Sequence, residues 1–148
     1  MNQFDTYDSG AINPQDQYDP RVAQVLRGKN FLDAEPLSNA EVESILEERV
    51  NYLQRSNYAV PSTIADTLKD LSDVLRNMDT AYDHAGTQSR KEKLESLVFD
   101  GDKGPMKLDP VEVCQILNLN PRSILELMSY LPTLKRFSEY DLSRILDE

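Results

Sequence analysis

The stretch NLNPRSILELMSYLPTLKRFSEYDL, Asn118 to Leu142, decides the fold, because it starts two helices and lets neither run long. Asn120 is a good N-cap, and Pro121 suits a first helical turn, where its missing N–H costs nothing. Pro132 blocks continuation past Tyr130 or Leu131, and Ser138 offers a second start. Ile124, Leu125, Leu127 and Met128 then face inward on the first helix, and Leu142, Ile145 and Leu146 on the last. Two short helices around a Leu-Pro elbow are what closes a small bundle.

Upstream, LDPVEVCQILNLN has a cap at Asp109, a first-turn proline at Pro110 and an acid reaching back at Glu112. Val113, Cys114, Ile116 and Leu117 supply its buried side, and GDKGP before it reads as a loop. From Pro61 to Tyr82, Ile64, Leu68, Leu71, Val74, Leu75, Met78 and Tyr82 follow the spacing of one helix face. Gly86 reads as its C-terminal stop, and Thr87 as the cap of a further helix carrying Leu94, Leu97 and Val98. No window shows strand alternation with an Asn-Gly or Asp-Gly turn, so the body is expected to be all-α. The short helices after Pro105 are expected to pack against the long central helix.

In FLDAEPLSNAEVESILEERVNYLQR, Ser38 and Glu41 have capping-box spacing, with Asn39 a rival cap. Val42, Ile45, Leu46, Val50 and Leu53 form one stripe, so a helix runs from about Asn39 to Arg55. Pro36 keeps FLDAEPL extended, and this segment reads as a docking arm. Residues 1–30 are polar and poor in apolar area, so they are expected to be disordered or draped on something else, with Val22, Val25 and Leu26 as one helical turn or small docking segment. The division is therefore 1–30, a docking arm and helix at 31–58, and a helical bundle at 61–148.

The 148 residues allow one ordinary domain plus an extension. No apolar run approaches a membrane span, and the start lacks the blocks of a secretory signal, so an intracellular protein with no membrane partner is expected. The formal net charge of −10 argues against gripping nucleic acid with the whole surface. Arg90, Lys91, Lys93, Lys103, Lys107, Lys135 and Arg136 are the exceptions; converging at one end of the bundle, they are the candidate contacts to single-stranded nucleic acid.

Catalytic chemistry finds little support. His84, beside Asp83 and read at a helix C-terminus, is the lone histidine and lacks a marked nucleophile or second ligand. Cys114 is the lone cysteine and sits on an apolar face, so it reads as a small core hydrophobe. Glu41, Glu43, Glu47 and Glu48 lack the dense oxygen spacing of a calcium loop. No catalytic, cofactor or metal residue is assigned, and an enzyme is not expected.

Several of these features together resemble the C-terminal part of the RNA polymerase stalk subunit family, which includes the fourth subunit of eukaryotic RNA polymerase II, its RNA polymerase III counterpart and the archaeal F subunit. They are Glu112 and Val113, the Asn-Leu-x-Pro junction at Asn118 to Pro121, the Leu-Pro-x-Leu elbow at Leu131 to Leu134, Arg136 and Phe137, and the Leu-x-x-Ile-Leu close at Leu142 to Leu146. PLSNAEVESILEERV is similar to the family's N-terminal opening. NLNPRS is nearer the polymerase III type and LPTLKRF the polymerase II type, while NMDTAYDHAG departs from the pattern.

The resemblance implies an all-α, HRDC-like helical bundle with an N-terminal docking arm and helix, in a nuclear protein without cofactors. It implies a non-catalytic subunit that pairs with a larger OB-fold stalk subunit, joins the polymerase core and stands near nascent RNA. The docking residues expected are Phe31, Leu32, Pro36, Leu37, Val42, Ile45, Leu46 and Val50. The competing readings are a free-standing HRDC-like module binding single-stranded nucleic acid through Arg90, Lys91, Lys93, Lys135 and Arg136, and a helical adaptor.

Overall fold

The computed structural model describes residues 17–77 and 84–148. Seven helices and one hairpin follow in order: α1 (Pro20–Arg27), α2 (Asn39–Arg55), α3 (Ser62–Asn77), α4 (His84–Ser96), β1 (Phe99–Gly101), β2 (Gly104–Met106), α5 (Pro110–Leu119), α6 (Ile124–Tyr130) and α7 (Glu139–Asp147). A 3-10 turn at Pro132–Arg136 forms the elbow. The described residues thus form a helical bundle, with one small hairpin where a loop was expected.

Local signals explain most boundaries. Ser38 accepts from the Glu41 amide while the Glu41 carboxylate accepts from the Ser38 amide, a complete capping box that starts α2. Asp109 and Glu112 build the same device at α5, and Ser138 with Asp141 builds it at α7. Pro132 ends α6 after Tyr130.

Several expectations are corrected, among them the inward placing of Leu125, which is 78% exposed. Asn120 does not start α6; it closes α5 in the left-handed region (φ 44), which asparagine tolerates, and Ser123 caps α6 instead. Gly86 and Thr87 lie inside α4, which His84 opens, so His84 stands at a helix start. Buried Thr87, Arg90, Lys91 and Leu94 are spaced three, four and seven apart, so α4 has a continuous inner stripe that two charges disguise. GDKGP spans a hairpin whose two-residue turn is Asp102 and Lys103, with Phe99 paired to Met106 and Gly101 to Gly104. A Cβ on Gly101 would meet Met106 Cγ at 2.7 Å and the Gly104 carbonyl at 2.9 Å, so glycine is required there.

The core gathers Leu94 of α4, Phe99 of β1, Leu108 ahead of α5, Val113, Ile116 and Leu117 of α5, Leu127 of α6, Leu131, Leu134 and Phe137 around the elbow, and Leu142 and Ile145 of α7. Each such side chain contributes about 1.5–3 kcal/mol on burial. Phe99 and Phe137 meet at 4.6 Å between ring centroids, so the hairpin is anchored in the same core as the elbow.

The helix α3 contributes nothing to that core. It was expected to carry the short helices; instead it packs along α2, and Ser72 donates to Glu43 at 2.6 Å. The α2–α3 hairpin buries only Leu53, because two amphipathic helices alone cannot enclose a stripe. Met78 and Tyr82 lie outside the described residues, as do residues 1–16.

Candidate partner interface

Of residues 1–30, Gln17 onward is described, and the surface beneath it is the chain's own α5. Asp19 caps α1, Pro20 occupies its first turn and Val22 is buried. Arg27, in the last turn, donates through Nη2 to Asp109 Oδ2 at 2.8 Å and through Nη1 to the Leu32 carbonyl at 2.7 Å. Gly28 (φ 68) turns the chain out of α1 into the arm.

Polar contacts then fasten the arm to the bundle. The Cys114 thiol donates to the Pro36 carbonyl at 3.4 Å, and the Asn39 amide donates to Asn118 Oδ1 at 2.8 Å. Lys91 Nζ lies 2.6 Å from Glu41 Oε1, with both side chains largely buried. Burial works against both charges, but the Lys91 and Ser38 hydrogen bonds win at Glu41 and hold its carboxyl below the ordinary 4.5. Burial likewise opposes the Lys91 charge, yet the bond and field of Glu41, with the field of Glu95, raise it above 10.5. Burial pushes the Cys114 thiol up to about 11, and Lys91 only partly offsets this, so the thiol is held in its unreactive form.

While these contacts hold the arm to the bundle, several of its apolar side chains are left exposed. Phe31 is 64%, Leu32 42% and Leu37 45% exposed. On α2 the docking stripe divides. Glu43, Leu46, Val50 and Leu53 share the side bordering α3, and Val42, Leu46 and Val50 are half-buried. Ile45 lies on the flank of Glu41, beside α4, and is 51% exposed, with Tyr52 exposed two turns on. The exposed large apolar side chains of the arm and α2 are therefore Phe31, Leu32, Leu37, Ile45 and Tyr52, of which Tyr52 was not among the expected docking residues.

The candidate nucleic-acid residues do not form one basic face. Arg90 is buried and donates to Asn120 Oδ1 at 2.9 Å, and Lys91 is bound to Glu41. Arg136 pairs with the fully buried Glu112 at 2.6 Å. Lys93, 3.4 Å from Glu148, and Lys135 are exposed, as is Lys103 at the hairpin turn. No helix among the described residues is long and apolar enough to cross a membrane.

A family model described as RNA polymerase Rpb4 matches residues 36–148, well over half of the chain. The chain belongs to the RNA polymerase Rpb4 family. Its membership makes it an RNA polymerase subunit and accounts for transcription as its setting. No curated protein matches the chain. The Rpb4 match starts at Pro36, so α1, Phe31 and Leu32 lie ahead of it, while the whole elbow and the core around it lie within.

Proposed function

We propose that this Rpb4-family chain is the smaller, non-catalytic half of an RNA polymerase stalk, bound to a larger OB-fold subunit through its arm and the outer flank of α2. The pair joins the polymerase core, supports initiation and handles nascent RNA as it leaves; in a eukaryote it works in the nucleus. One observation carries the reading: the arm is fastened by polar contacts while Phe31, Leu32 and Leu37 face away from the chain's own core. An apolar band on an otherwise acidic subunit is what a protein partner would cover.

The seam with α3 decides which variant tests this. Leu46→Asp would also open the α2–α3 hairpin, whereas Ile45 and Phe31 are exposed and can be changed without that cost. Phe31→Asp with Ile45→Asp is expected to cut co-purification of the larger stalk subunit about tenfold or more, with the melting temperature of the free chain unchanged. Undiminished co-purification would defeat the reading.

A further inference from the structure

The arm offers a partner something besides side chains. Pro36 fixes its own φ and forces Glu35 into extended backbone, and Ser38 is extended too (φ −70, ψ 160). The Pro36 carbonyl accepts from the Cys114 thiol, whereas the amides and carbonyls of its neighbours Glu35 and Leu37 are not taken up by the bundle. None of these four groups has a hydrogen-bond partner among the described residues, and both residues are exposed.

Such an edge beside exposed Leu32 and Leu37 is what folded proteins guard with lysines, bulges or a covering element, and the arm between Phe31 and Ser38 has no lysine. Its charges are acidic instead. Asp33, Glu35 and Glu95 line a cavity of about 270 Å³ between the arm and α4. The two cations there, Arg27 and Lys91, are already matched by Asp109 and Glu41, while none of the three acids has an ion pair among the described residues.

We infer that the partner subunit adds a β-strand along Glu35 and Leu37, with a basic side chain of that strand set against the acids of the adjoining cavity. A helix laid on the arm would bury its apolar side chains but leave the four backbone groups unmatched, which favours a strand. The inference rests on the stalk reading for the identity of the partner.

Hydrogen exchange on the full chain, free and bound to the larger stalk subunit, tests it. The Glu35 and Leu37 amides are expected to exchange freely alone and to slow at least about tenfold in the complex. Leu37→Pro, which deletes one donor, is expected to weaken binding about tenfold, and Leu37→Ala less than about threefold. Glu35→Lys is expected to weaken it as well, more at low salt than at high. A complex that forms with both amides unprotected overturns the strand and leaves the stalk reading standing. Absence of any complex overturns both.

Discussion

Glu112, with no exposed surface, is gripped by Arg136 through two contacts of 2.6 Å, one to each carboxylate oxygen. Thr133 donates to the same carboxylate at 2.6 Å and the Asp109 amide at 2.8 Å, so one side chain joins the start of α5 to the elbow. The Arg136 guanidinium also lies 4.3 Å from the centre of the Phe137 ring.

Removing only the cation leaves a buried charge uncompensated. Arg136→Met is expected to cost about 3–5 kcal/mol in urea unfolding, and the double change Glu112→Leu with Arg136→Met much less than the sum of the singles. An additive double mutant would show that the two residues act independently.

The Glu41–Lys91 pair sets a pH window. Glu41, with its pKa lowered, contributes stability above 4.5 and loses it as pH falls through its folded value. Lys91, with its pKa raised, contributes below 10.5 and loses it as pH rises through its folded value. Between those limits Lys91→Met is expected to cost on the order of 2 kcal/mol, a gap from wild type that narrows below the lower one. Urea midpoints of both proteins across pH check this; a gap independent of pH at the acid end would refute it.

The hairpin turn is equally exacting. Gly104 has φ +125, which side-chain-bearing residues rarely adopt, and Gly101 is crowded by Met106 and the Gly104 carbonyl. Gly104→Ala is expected to cost about 1–3 kcal/mol, and Gly101→Val at least as much. Lys103→Ala, in the same turn but exposed, should leave the urea midpoint where it was.

What could be read from the sequence was local. The start of α2 at Ser38, of α5 at Asp109 and of α7 at Ser138, and the break at Pro132, each depend on residues within four positions of one another. The hairpin escaped because its strands are three residues long, too short for alternation to register. Arg90, Lys91 and Arg136 looked like surface cations because the groups that bury them, Asn120, Glu41 and Glu112, stand 24 to 50 residues away. The division of the α2 stripe between the α3 seam and an open flank was hidden for the same reason: it depends on where α3 lies.

The fastenings of the arm have a bearing on synthesis. Arg27, Pro36 and Asn39 meet partners 82, 78 and 79 residues further along the chain. While a ribosome is making this protein, the arm emerges before any part of α5 exists to hold it, and it stays loose until most of the polypeptide has been translated. A neighbouring subunit already folded nearby would meet that segment first, so assembly can precede completion of the chain.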